Sequence, residues 1–405
     1  MDETMADRVR AVISRAAPSQ AAFAEGIGMT RDKLSKSLGG ARRFTSLELA
    51  LIAEAGDVTV DWLLNGPTPA HPALAARSAR GTKRSGGGPD PTALEDATGR
   101  YLAAFDVLSL LSQGPELPEL PTAPEDGTPH EQGDELARRV LAALRAAGVG
   151  PLAELETGEL IATWARAFGV DVAITRLPSG LDGLAWRDDG FRLAIVATHP
   201  VWTRQRFTLA HELGHVLAGD AQDLLAESGM APGLAEDPSE IRANAFAAAL
   251  LMPEQDVREL AARAARGSGP DLDDLVLDDE AFAAMVVRCR VSPSALAARL
   301  RTLGLVGDRE RNRLRRFTTA DCHERLGAID AYMTQAAAAN TPLPPVRLVN
   351  GLFAAYRSGE TTLRPLAALL DSDVDDLRTL LGPPDEPTGA QGPSGGASGD
   401  PVFTP

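Results

Sequence analysis

Apolar positions along this chain follow two different periods. Between residues 170 and 197 they come in short runs: Val170-Asp171-Val172-Ala173-Ile174, Gly183-Leu184-Ala185-Trp186 and Phe191-Arg192-Leu193-Ala194-Ile195-Val196-Ala197. Runs of this length, rich in β-branched and aromatic residues, read as strands, and Asp189-Gly190 between the last two is a hairpin turn signal. The expectation is a small antiparallel sheet. Around it the spacing changes to three and four residues, the helical period. Leu155, Leu160, Ile161 and Trp164 mark a helix from about 152 to 168, and Phe207, Leu209, Val216 and Leu217 mark a buried one. A third, strongly apolar helix runs from Glu240 to Met252 and is stopped by Pro253.

The N-terminal stretch predicts two short helices joined by a glycine-containing turn. Ser19 and Thr30 are natural N-caps, Ile27 and Leu34 fall where the helices would meet, and Gly39-Gly40 ends the second. A helix over about 91–111 carries Leu94, Tyr101, Leu102, Phe105, Leu108 and Leu111 on one side, suited to docking on a domain or to pairing with its own copy. From 307 to 381 the spacing is again helical, opening on the charged segment Asp308 to Arg316.

Composition separates these elements. A chain of 405 residues exceeds what one core usually supports. Gly66 to about Asp90 is rich in Pro, Gly and Ser, and Gly114 to about Glu131 holds five prolines. Both read as tethers. The residues after Leu381 carry no Lys or Arg and read as a disordered tail. The expected plan is therefore 1–66, a linker with one helix over 67–134, a domain over 135–306, a helical region over 307–381 and a tail over 382–405. The formal net charge of −16 argues against a surface coated for nucleic acid, although screened fields are local and a basic element can act alone. Two cysteines without C-x-x-C spacing, Cys289 and Cys322, exclude a thiolate zinc finger and a disulfide framework. The acidic start lacks signal-peptide character, and the longest apolar run is far short of the roughly 20 residues of a membrane span. A soluble, cytoplasmic protein is expected.

The buried segment at 211–215 reads His211-Glu212-Leu213-Gly214-His215. Residues four apart share one helix face, so both imidazoles can reach one zinc ion while Glu212 faces the water that the ion activates. The competing reading is an amphipathic helix with two satisfied core histidines. A catalytic zinc usually takes a third protein ligand. Glu240 on the following helix is the best candidate, and Asn244, one turn later, could fix the tautomer of a ligand histidine. Glu240 as a helix-start glutamate and Asn244 as a packing amide are the plain alternatives. No spacing selects an oxyanion donor among Arg206, His199, His323 and Tyr356.

Residues 206–215, the pattern Glu240-x-x-Ala243-Asn244-x-Phe246-Ala247, the close on Leu250-Leu251-Met252-Pro253, and the element from Val291 to Leu305 resemble the ImmA/IrrE family of metallopeptidases over roughly 135–306. That resemblance implies an α+β, zincin-like domain with His211, His215 and Glu240 as metal ligands, Glu212 as the catalytic carboxylate, zinc or another divalent ion as cofactor, and a helix-turn-helix repressor as protein substrate. Residues 1–66 are similar to Cro/cI-type (XRE) helix-turn-helix domains. This implies double-stranded DNA as partner, a homodimer on a two-fold operator, and contacts from Arg31, Asp32, Lys33, Ser35, Lys36, Arg42 and Arg43. The whole then reads as multidomain: an all-α domain, the α+β domain and a C-terminal helical region. Two functions fit: a DNA-bound regulator that hydrolyses a protein, or a transcription factor whose peptidase-like domain only senses or dimerises.

Overall fold

A computed structural model describes residues 5–17, 19–39, 42, 44–56, 58, 63, 75–78, 91–111, 117–178, 181–187, 190–220, 237–264 and 275–383. The chain divides into two units, Met1–His71 and Pro72–Pro405.

The first unit holds α1 (Met5–Ala16), α2 (Gln20–Gly26), α3 (Arg31–Leu38) and α4 (Ser46–Gly56). Val9, Val12, Phe23, Leu34, Ile52 and Leu63 close its core. Both predicted caps are made: Ser19 accepts from the Ala22 N–H and Thr30 from the Lys33 N–H. Ile27 and Leu34 are buried, as their spacing required. Arg8 is buried as well, its Nε donating to the Leu63 carbonyl at 3.1 Å. Of 58–66, the stretch that ends the region of resemblance, only Val58 and Leu63 are among the described residues.

The second unit is built on a sheet. Its elements run β1 (Ala75–Ser78), α5 (Pro91–Leu110), α6 (Pro129–Ala146), α7 (Thr157–Phe168), β2 (Asp171–Thr175), β3 (Leu181–Arg187), β4 (Arg192–Ala197), α8 (Trp202–Ala218), α9 (Pro238–Leu251) and α10 (Glu254–Ala264). The C-terminal helices α11 (Asp279–Cys289), α12 (Pro293–Thr302), α13 (Asp308–Leu314), α14 (Thr319–Arg325), α15 (Ile329–Ala339), α16 (Val346–Arg357), α17 (Arg364–Leu370) and α18 (Val374–Leu381) follow. Among the described residues no single helix is long and apolar enough to cross a membrane.

The strand order is β1-β3-β4-β2. The hairpin partners β3 and β4 are antiparallel, but β2 pairs in parallel with β4, so the sheet is mixed rather than antiparallel. The cause is visible in β2: all five residues are buried, the pattern of a strand covered on both faces and not of one half-exposed in a meander. Alternate residues serve two cores. Val172, Ile174, Ala185, Ala194 and Val196 join α6, α7, α8 and α9 on one face. Ala173, Leu184, Trp186, Leu193 and Ile195 join Tyr101, Ala104 and Leu108 of α5 and Leu348, Leu352 and Leu366 on the other.

Three segments read from composition as separate are tied into this unit. Helix α5 supplies the second core, with Phe105 against Trp186 and Phe191. The proline-rich stretch after residue 117 follows a fixed path: prolines offer only carbonyls, and Arg192 donates to Pro118 O and Arg139 to Thr122 O, each at 2.8 Å. The region after 307 covers the outer edge of β2, where Ile174 and Leu343 exchange backbone hydrogen bonds of 2.8 and 2.9 Å. Linear composition carries no record of such long-range partners.

Asp171 anchors that edge. Its Oδ2 accepts from the Arg347 and Leu348 N–H groups at 3.0 and 3.1 Å, at the start of α16. Burial pushes its pKa from 3.8 up to about 6, against the pull of those N–H donors. The native state then holds the proton more tightly than the unfolded chain, so stability falls as pH rises from about 4 to about 6 and is level above. The fall is on the order of 3 kcal/mol. Asp171→Asn should abolish this pH dependence, read as a denaturation midpoint that no longer drops between those pH values; an unchanged drop would assign it to another group.

Candidate metal centre

Helix α8 carries the three central side chains into the interior. His211 and Glu212 are 0% exposed and His215 is 1% exposed. Leu209, Ala210, Leu213 and Val216 press the helix onto the sheet, so the polar residues are held by a face that is otherwise core. Helix α9 crosses α8 at Gly214, where a Cβ would stand 2.9 Å from Phe246 Cδ1 and 3.4 Å from Ala243 Cα. Glycine at that position of the motif lets the two helices approach closely. It brings the first turn of α9, and with it Glu240, over the histidines.

The donor atoms converge. His211 Nε2 and His215 Nε2 are 3.0 Å apart; Glu240 Oε1 is 3.2 Å from His215 Nε2, and Oε2 is 3.5 Å from His211 Nε2. A tetrahedral ion with bonds of about 2.0–2.1 Å sets its ligand atoms about 3.3 Å apart. Two nitrogens and a carboxylate oxygen at these spacings therefore fit one divalent cation, and the three residues form a group able to hold one. Charge agrees with the geometry. Burial works to lower the pKa of His215, but the carboxylates of Asp220 and Glu240 outweigh it and lift the value to about 9. Burial works to raise Glu240, and the two histidines hold it well below the usual carboxylate range.

One residue escaped the sequence reading. Helix α8 ends at Gly219, whose φ of 79° turns the chain back, and Asp220 Oδ2 comes to rest 3.6 Å from His215 Nδ1. Arg242 of α9 holds Asp220 from behind and also donates to Gln132 Oε1 at 2.9 Å. The carboxylate facing the outer nitrogen of His215 is thus Asp220; Asn244, read from the sequence as able to fix the tautomer of a ligand histidine, is half-buried one turn beyond Glu240. The signal was a helix-stopping glycine directly before an aspartate, one turn after the second histidine.

The sheet meets the centre at Gly183 of β3. A Cβ there would lie 2.8 Å from Glu212 Cδ and 2.8 Å from Thr208 Cγ2. Gly183→Ala should force Glu212 aside at a cost of about 1–3 kcal/mol. Its expected signature is a lowered melting temperature with the metal affinity nearly kept, since no ligand is touched; an unaltered melting temperature would show that the packing relaxes freely.

The oxyanion candidates are occupied elsewhere. Arg206 is fully buried and donates to the Leu152 and Leu155 carbonyls, His323 bonds the Thr319 carbonyl, and Tyr356 donates to Gly382 O. His199 accepts from the Val201 N–H. In the first unit Arg31, Asp32, Lys33, Ser35 and Lys36 are exposed along α3, with Lys36 paired to Asp32 at 2.8 Å. Arg42 is drawn back onto Ser37 and Glu48, and Arg43 lies outside the described residues.

Comparison with known proteins places these features. A stretch of 87 residues is 39% identical to the radiation response metalloprotease IrrE of Deinococcus radiodurans, which is 20% of this chain and 26% of that protein. The chain thus spans about a quarter of the length of the curated relative it matches. Residues 165–301, which include the histidines of α8 and Glu240 of α9, match the IrrE N-terminal-like domain family, Peptidase_M78, and the chain therefore carries a domain of metallopeptidase type.

Proposed function

We propose that the chain is a zinc-dependent endopeptidase joined to a DNA-binding unit, and that it hydrolyses a peptide bond in a regulatory protein, a helix-turn-helix repressor being the substrate class the resemblance suggests. The observation that carries the hydrolytic part is the tetrahedral spacing of the His211, His215 and Glu240 donors beside a fully buried glutamate. His211, His215 and Glu240 would hold the ion. Bound there, it supplies Lewis acidity toward water and the scissile carbonyl. Glu212 takes a proton from the attacking water and passes it to the leaving amine nitrogen. Asp220 orients His215 and keeps its outer nitrogen protonated, so that Nε2 presents its lone pair to the metal. Leu209, Leu213 and Val216 keep the floor of the site dry, which strengthens each of these interactions.

The test is the metal content and peptide hydrolysis of the purified full chain, before and after chelation. Hydrolysis that needs about one bound ion per chain supports the reading. An ion bound without any hydrolysis leaves transcription control alone.

For DNA, the support is the outward row Arg31, Lys33, Ser35 and Lys36 on α3, while Leu34, Ser37 and Leu38 face the core. The Lys36–Asp32 pair is exposed and therefore weak enough to open against a phosphate. Replacing Lys33 and Lys36 by Ala should lower the salt dependence of duplex binding by about one for each phosphate that is no longer neutralised. If the full chain enriches no duplex from a random pool, the DNA reading fails.

A further inference from the structure

The sheet edge beside the metal centre is occupied by the chain's own segment. Strand β1 lies outermost, antiparallel to β3, with Ala75 opposite Ala185, Ala76 opposite Leu184, Arg77 opposite Gly183 and Ser78 opposite Leu181. Gly183 is the residue of β3 that abuts Glu212. The backbone at Arg77 therefore passes one strand spacing, about 4.8 Å, to the side of the point where the sheet touches the proposed general base. Adding an extended peptide to a free strand edge is a general way to hold a substrate, because main-chain hydrogen bonds fix its direction and register. The ladder is also irregular at this point: its register shifts between Arg77 and Ser78. The residue skipped is Asp182 of β3, so the single Arg77–Ser78 peptide of β1 lies opposite two peptides of β3 and the regular bonding is interrupted across it.

The position of this segment in the chain gives it meaning. Residues 75–78 lie in the Pro-, Gly- and Ser-rich stretch 66–90, a few residues after the end of the N-terminal unit at His71. We infer that this segment is a substrate of the metal centre in the same chain, cut between Arg77 and Ser78, so that hydrolysis releases the N-terminal helical unit from the catalytic one. The inference rests on the hydrolytic reading proposed above and names its substrate. Water is the only co-reactant. Its oxygen bonds to the Arg77 carbonyl carbon, the bond from that carbon to the Ser78 nitrogen breaks, and Glu212 carries a proton from the water to that nitrogen. The products are a carboxylate at residue 77 and an amine at residue 78.

The experiment uses the full-length chain. Metal-free protein is loaded with zinc and followed by intact mass and N-terminal sequencing, alongside Glu212→Gln and a second variant carrying Ala76→Pro and Arg77→Pro. Successive strand residues point their N–H groups to opposite sides, so the proline pair removes whichever donor serves β3. The expected result is a new N-terminus at Ser78 in the parent chain, formed at a rate independent of protein concentration and absent from both variants. Seating is read without catalysis by hydrogen exchange on metal-free Glu212→Gln: within Gly183–Ala185 the amides that point to β1 should be protected and lose protection when the two prolines are added, while those that point to β4 stay protected in both. A loaded chain that leaves 75–78 intact while cleaving a random peptide library overturns this inference and spares the hydrolytic reading. A chain that binds zinc and cleaves neither overturns both, and cleavage that speeds up with concentration overturns action within one chain.

Discussion

Glu212→Gln is expected to keep its metal and lose peptide hydrolysis by about 10²- to 10⁴-fold, the usual contribution of a positioned general base. The reasoning is local. Glutamine has the shape of glutamate, so the packing against Gly183 and Thr208 survives, and the donors of His211, His215 and Glu240 are untouched. What disappears is the ability to accept a proton. The buried carboxylate is also a negative charge beside His215, and removing it lowers the pKa of that histidine from its raised position. Metal uptake by the variant should therefore be no weaker at neutral pH, because less proton competition opposes it. Metal stoichiometry and hydrolysis must be measured on the same preparation. Loss of the ion along with activity would make Glu212 a ligand or a structural prop, and unchanged hydrolysis would place the base elsewhere.

The sequence was informative about this centre where chemistry and helical period coincide. Two histidines four residues apart with a glutamate between them can be read without a fold, and so can an apolar helix opening on Glu240. The sequence was silent where the partner lies far along the chain. Asp220 acquires its role from the turn at Gly219 and from Arg242 on another helix. Gly183 looks like a strand-weakening glycine until α8 is laid across it. The same limit explains the sheet. Adjacent strands in sequence suggested a meander, whereas β2 sits beyond β4 with its outer edge closed by Leu343, more than 160 residues away. The segment read as a tether over 66–90 contains β1, because strand pairing asks little of composition, while the helix read over 91–111 is α5, whose spacing showed an apolar side but not the sheet face it covers. In the N-terminal unit the two capped helices and the burial of Ile27 and Leu34 were legible because cap, turn and packing partner are close in sequence, whereas α1 and α4 were not read.

Glu240→Ala should reduce zinc affinity by more than the 10- to 100-fold that follows loss of an outer partner. Asp220→Asn should stay within that range, and the difference between the two assigns the third ligand. Glu240 contributes the only carboxylate oxygens within reach of both Nε2 atoms among the described residues, at 3.2 and 3.5 Å, so alanine leaves two nitrogens and no anionic donor. Asp220 instead faces Nδ1 of His215 at 3.6 Å, on the side away from the other donors, so asparagine removes a charge that favours a proton on that nitrogen without touching a ligand atom. Without metal the order of effects on His215 should be different. Asp220 and Glu240 both raise its pKa, so either substitution lowers it, and neither leaves it as easily protonated as in the parent chain. The measurement is competitive zinc titration against a chelator for the three proteins at one pH. If Asp220→Asn costs as much as Glu240→Ala, the ion is held between His215 and Asp220 and the site must be redrawn. If Glu240→Ala binds zinc normally, Glu240 is a packing residue and the cluster has no third ligand in α9.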